Sequence, residues 1–169
     1  YLANYGRIQE IELKTQEIIL KAYDDIILDR FNYNVTIDPW LGEGISQDAM
    51  DQARIGFYPG GDQITIPHFD ADGRFIGLRG RTLCADEGER FGKYRPMRVN
   101  KILYNHPLGM NLYNLNHSKD AIKIMKKAIV FEGEKSTLLY KSYFGIENDI
   151  SVACCGSSIS AYQIQLLID

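Results

Sequence analysis

At 169 residues, with 45% hydrophobic and 11% aromatic side chains, the chain is long enough to bury a packed core as one domain or two small lobes. A net charge of −3 argues against a protein that coats nucleic acid nonspecifically. No apolar run nears the roughly 20 residues that cross a bilayer, and residues 1–12 lack the basic start and apolar stretch of a signal peptide, so the expectation is a soluble, cytoplasmic protein with no membrane partner. Because it starts at Tyr1 without methionine and stops at Asp169 straight after an apolar run, the chain reads as an excised piece of a longer protein.

Residues 8–30 place Ile11, Ile18, Ala22 and Ile26, flanked by Ile19, Tyr23 and Ile27, at helical spacing, which predicts an amphipathic helix with a core-facing stripe. Residues 32–42, with Pro39, Trp40 and Gly42, read as a connection, and Ser46 caps a short helix to about residue 53. Residues 63–68 alternate as a strand, 70–73 have the Asp-x-Asp-Gly composition of a turn, and 75–83 resume as a strand, which makes a β-hairpin. Residues 88–107 are polar and interrupted by Pro96 and Pro107, and read as a surface segment with one strand at 98–104. Ser118 opens a helix to about residue 127; 128–131 and 151–155 are buried strands; 135–144 and 159–168 are helices. That alternation implies a parallel α/β sheet. The fold class is α/β, an α+β amino-terminal lobe over residues 1–117 followed by a parallel α/β unit over 118–169.

Cys84, Cys154 and Cys155 lack the paired spacing of a zinc ribbon, and His68, His106 and His117 are scattered, so the spacing predicts buried thiols, structural histidines and no zinc. Charge is uneven along the chain. Residues 31–73 hold seven acidic side chains and one basic, whereas residues 74–101 hold eight basic against three acidic. The second stretch is where a polyanion would bind. Within it, Arg79 and Arg81 share one face of a strand by the period-two rule, with Lys93 and Tyr94 following. Two guanidiniums suit bidentate capture of phosphate; a charged edge strand that blocks unwanted pairing is the competing explanation.

The sharpest local signal is Val130-Phe131-Glu132-Gly133-Glu134-Lys135-Ser136, where a strand ends in an acid and a glycine just before a helix. Open α/β sheets bind ligands at such strand ends. A carboxylate there suits a hard divalent cation or a general base, while plain capping of the following helix by Glu132 and Glu134 explains the same residues structurally. The loop Gly156-Ser157-Ser158 offers amides for an anion, as ordinary strand-to-helix turns also do.

Taken in order, these segments resemble the catalytic core of bacterial-type DnaG primases, whose second subdomain is the TOPRIM fold. The resemblance runs from about Trp40 to the end. It is carried by Arg54-Ile55-Gly56-Phe57-Tyr58-Pro59, by Ile64-Thr65-Ile66-Pro67 with Asp72-Gly73-Arg74 and Arg79-Gly80-Arg81, by Lys93-Tyr94 and Leu112-Tyr113-Asn114-Leu115, and by Glu132-Gly133. Asn114 stands where glycine is usual, the aspartate expected after the TOPRIM glutamate is absent or replaced by Glu134, and the Asp-x-Asp motif and zinc-binding domain are missing. These departures resemble a phage- or plasmid-type primase. The resemblance implies primer synthesis by nucleotidyl transfer, with Glu132 catalytic, Glu132 and Glu134 holding magnesium or manganese, and Arg79, Arg81, Lys93 and Tyr94 contacting nucleic acid or nucleotide. It also implies a single-stranded DNA template, ribonucleoside triphosphates and a replicative helicase as partners. The isolated piece is expected to be inactive. A degenerate domain that only binds single-stranded nucleic acid, and another TOPRIM enzyme such as a nuclease or topoisomerase, are the alternatives.

Overall fold

The structure, a computed structural model, describes residues 19–31 and 36–169. Two sheets organise it. The first is antiparallel, with strands β1 (Gly56–Tyr58), β2 (Gln63–Phe69), β3 (Phe75–Thr82), β4 (Tyr94–Val99) and β5 (Ile102–Tyr104) in that spatial order. The second is a parallel pair, β6 (Ile129–Phe131) and β7 (Ser151–Ala153). Helices α1 (Asp38–Gly42) and α2 (Gln47–Gln52) precede the first sheet, and α3 (Ala85–Phe91) lies between β3 and β4. Around the second sheet run α4 (Leu115–Met125), α5 (Glu134–Phe144) and α6 (Ala161–Ile168). This is the mixed architecture expected from the sequence.

Much of the local reading follows from identifiable chemistry. The Ser46 hydroxyl accepts from Ala49 N and starts α2, and Ser160 forms a capping box with Gln163 that starts α6. The β2–β3 turn closes because Asp70 accepts from the amides of Asp72 and Arg74 and from Arg74 Nε, with Gly73 at a φ of +83° that suits glycine.

Five expectations need correction. Residues 32–42 are not all connection, since Asp38–Gly42 forms the short helix α1. The helix over 8–30 falls partly outside the described residues, and within them Asp25–Arg30 is a 3-10 helix while 19–24 is not helical. Tyr23 N instead bonds Phe75 O, and the Tyr23 ring packs on Phe75 and Tyr104, so tertiary packing overrides the helical period. The single strand at 98–104 is two strands, because Asn100 and Lys101 adopt φ of +49° and +67° and fold β4 onto β5 as a two-residue hairpin turn. Residues 85–91, polar and holding Gly88, form α3, with Asp86 and Glu87 in the first turn and Arg90 in the last, which matches the helix dipole. The strand at 128–131 is not buried, since Ile129 and Val130 stay 37% and 39% exposed.

One apolar core joins the two sheets. Trp40, Ile45, Met50 and Ile55 pack with Ile64 and Ile66 of β2, Tyr113, Leu138 of α5 and Ala153 of β7. Each such aliphatic side chain contributes about 1.5–3 kcal/mol when fully buried. A second core under β3 to β5 is aromatic, with Phe31, Phe75 and Tyr104. A third, with Leu112, Ile122, Ile150 and Val152, seats α4 against β7.

Candidate functional site

Residues paired across an antiparallel ladder share a face of the sheet. Ile66 pairs with Arg79, Ile64 with Arg81, His68 with Gly77, Arg79 with Pro96 and Arg81 with Tyr94. Arg79, Arg81 and Tyr94 therefore stand on the same face as His68, Ile64 and Ile66, and that face meets the second sheet. The expectation that both arginines share a face holds. Arg79 lies over the Tyr94 ring, with the guanidinium carbon 5.6 Å from the ring centroid, a favourable cation–π placement. Arg81 Nη1 donates to Thr82 O, while its buried Nε has no hydrogen-bond partner among the described residues. Lys93 is exposed and gives only its carbonyl to Thr82 N.

The two glutamates after β6 differ sharply. Glu132 is exposed, and none of the described residues bonds its carboxylate. Glu134, the first residue of α5, is 3% exposed. Arg79 Nη1 donates to Glu134 Oε1 at 2.6 Å, and His68 Nε2 lies 3.0 Å from the same oxygen. A carboxylate only accepts, so that imidazole nitrogen carries the proton. Burial pushes the Glu134 pKa up, but the hydrogen bond and attraction from His68 and the charge of Arg79 outweigh it and hold it at about 2. Glu134 is thus an ionised buried group that ties β2 and β3 to the start of α5.

Around this pair the fold gathers groups that their spacing in the sequence does not connect. Cys155 joins His68 and Glu134 so that one ligand atom from each lies within 4.8 Å of the others. The His106 and Tyr113 rings both pack on His68 at 4.9 Å. The histidines are therefore not scattered: two of the three meet here. His68 was within reach of the period-two rule, because it continues the face of Ile64 and Ile66; His106 and Cys155 lie on separate loops and carried no such signal. Burial, with His68 and Arg79 nearby, lowers the His106 pKa to about 3. Burial and then Glu134 raise the pKa of Tyr94, and do the same to Tyr113 and Cys155, so all three stay protonated at neutrality.

Deeper in the second sheet, Lys141 Nζ donates to Asn114 Oδ1 at 2.6 Å and to Gln52 Oε1 at 3.0 Å, and lies 3.8 Å from Asp149 Oδ2. Asn114 Nδ2 donates to Asp149 Oδ2 and to Ser151 O. Asn114 has a φ of +73°, a conformation asparagine tolerates. It therefore stands in for glycine and adds an amide that organises the network. A separate groove of about 960 Å³ between α4 and α6, lined by Leu115, Lys123, Lys127 and Leu166 among others, contains none of the groups above.

No family model matches this chain. It is 39% identical over 157 residues to the SPbeta prophage-derived uncharacterized protein YorJ of Bacillus subtilis, covering 92% of this chain and 41% of that protein. It is 29% identical over 106 residues to a DNA primase of Synechococcus elongatus, covering 63% of this chain and 14% of that one. Among solved structures, the Aquifex aeolicus primase, comprising zinc-binding and RNA polymerase domains, superposes with a TM-score of 0.71 at 20% identity over 85% of this chain and 43% of that one. The DnaG primase catalytic domain bound to single-stranded DNA superposes with a TM-score of 0.62 at 22% identity, over 85% of this chain and 56% of that one. The chain spans less than half of the curated relatives it matches.

Proposed function

From a chain with the fold of the bacterial primase catalytic core, we propose a part in template-directed nucleotidyl transfer, the synthesis of RNA primers on single-stranded DNA. The observation that carries this reading is the division between the glutamates on that fold: Glu132 is exposed and unengaged at the end of β6, whereas Glu134 is engaged by Arg79 and His68. Glu132 is the catalytic carboxylate and the metal-facing one. A free oxygen donor at a strand end fits a hard cation, magnesium or manganese, which when bound activates the primer hydroxyl and neutralises triphosphate charge. Glu134 assists by fixing the backbone turn that presents Glu132 rather than by ligating that ion. Arg81 and the exposed Lys93 hold template or nucleotide phosphates; Tyr94 carries Arg79 on its ring. Ribonucleoside triphosphates, a replicative helicase and a cytoplasmic setting belong to the same reading.

The second reading is a module that binds single-stranded nucleic acid without catalysis, favoured by the engagement of Glu134, the neighbouring acid, by Arg79 and His68. Glu132→Gln in the intact protein separates the two. Loss of primer synthesis with DNA binding and melting temperature unchanged is expected from the catalytic role. Normal primer yield from that variant removes Glu132 from the chemistry.

A further inference from the structure

We propose that His68, Glu134 and Cys155 bind one borderline, thiophilic divalent cation such as zinc, at a site separate from the oxygen-ligand chemistry at Glu132. One ligand atom from each lies within 4.8 Å of the others. Imidazole, carboxylate and thiolate make a donor set that zinc takes at about 2.0–2.3 Å in a four-coordinate shell, with water free to complete it. Magnesium prefers six oxygens and is a poor match.

A second observation points to a ligand at the same place. Tyr113 is 4% exposed, its ring packs on His68, and its hydroxyl has no hydrogen-bond partner among the described residues. A buried polar group without a partner costs about 1–3 kcal/mol, and the coordination shell of an ion at this cluster gives the hydroxyl one. Gly77 makes room for His106 beside His68, since a Cβ on Gly77 would fall 2.4 Å from His106 Nδ1. The cluster therefore has a second imidazole at its edge. Arg79, bonded to Glu134 Oε1, acts as the outer hydrogen bond that ligating carboxylates ordinarily have.

Binding of the ion replaces the thiol proton of Cys155, which leaves to solvent as the thiolate forms, and takes up the ring nitrogen of His68 that faces Glu134. Thiolate and carboxylate then cancel the two charges of the ion. Because His68 lies on β2, Glu134 opens α5 and Cys155 follows β7, the ion staples the two sheets together and stabilises the fold by mass action.

The test is titration of the chelator-treated 169-residue chain with cobalt(II) as an optical probe, then displacement by zinc. The expected result is one equivalent bound, a cobalt–thiolate charge-transfer band, proton release on binding by calorimetry in two buffers, and a rise in melting temperature with zinc. Cys155→Ser should abolish the band and His68→Gln should weaken binding by at least about tenfold, the loss typical of altered metal ligation. Cys84→Ser, at an exposed thiol, should change neither. Absence of a thiolate band in the unaltered chain overturns the proposal whatever the variants do, and so does a band that survives Cys155→Ser or is lost in Cys84→Ser.

Discussion

At Glu134 a buried charge persists because two donors hold it, and the consequence is a defined response to acid. Its pKa of about 2 lies below the ordinary 4.5, so the stability it brings is complete above about 4.5 and lost as pH falls toward 2. His106 at about 3 and His117 at about 4 lie below the ordinary 6.5, chiefly through burial, so the unfolded chain takes up their protons first. All three lower stability on acidification. In the metal-free chain, urea midpoints should fall steadily from about pH 6.5 downward, and Glu134→Gln should flatten the part below about 4.5; an acid limb unaltered in that variant would show that Glu134 is not held as described. Lys141 gives the complementary case. Burial lowers its pKa to about 8 against the pull of Asp149, so removing Asp149 leaves a buried ammonium with only the neutral oxygens of Asn114 and Gln52. Asp149→Ala should cost about 3–5 kcal/mol in chemical denaturation. Lys141→Met should cost less, because Asp149 keeps its bonds from Asn114 and Ser151.

Elements whose signals lie within a few residues were legible in the sequence, and those fixed by distant packing were not. The hairpin of β2 and β3, the capped helix α2, the existence of α6 and the parallel pairing of β6 with β7 follow from alternation, the Ser46 cap and Asp70 turn chemistry, while the Ser160 capping box that starts α6 was seen only in the fold. Helix α3 was hidden by Gly88 and by its polarity, and the β4–β5 turn by the capacity of Asn100 and Lys101 for positive φ, which composition does not announce. Asn114 lets that capacity be measured. Asn114→Gly keeps the φ of +73° but loses the amide bonds, whereas Asn114→Ala loses the bonds and is strained as well. Alanine should therefore be the more damaging by about 1 kcal/mol or more. On β3, Gly77→Ala should destabilise by about 1–3 kcal/mol through the clash with His106, and His106→Ala should restore part of the loss. Equal damage with and without His106 would place the strain elsewhere.

The molecule as a whole sets a basic sheet face against the start of α5, and this division of charge decides what the chain does on its own. The sequence singled out Arg79, Arg81, Lys93 and Glu132 by composition and strand-end logic; it could not reveal that Arg79 turns inward to Glu134 while the buried Arg81 Nε has no partner among the described residues, because that depends on packing between residues 55 apart in the chain. On the proposed reading Arg81 and Lys93 are cations that contact phosphate, and Arg79 contributes to holding the sheets. Each phosphate contact on a single strand steepens the dependence of log K on log salt by about 0.7. Arg81→Ala and Lys93→Ala should each make the salt slope for single-stranded DNA shallower by about that amount. Arg79→Ala should instead lower the melting temperature and leave the slope nearly unchanged. Nucleotidyl transfer needs several converging oxygen ligands, and Glu132 is unengaged while its neighbour Glu134 is bound by Arg79 and His68. The 169-residue chain should therefore bind single-stranded DNA, melt cooperatively and make no primers. Polymerisation of ribonucleotides by this chain alone would mean that the chemistry rests on other carboxylates, and a salt slope that falls with Arg79→Ala but not with Arg81→Ala would reverse the roles assigned to the two arginines.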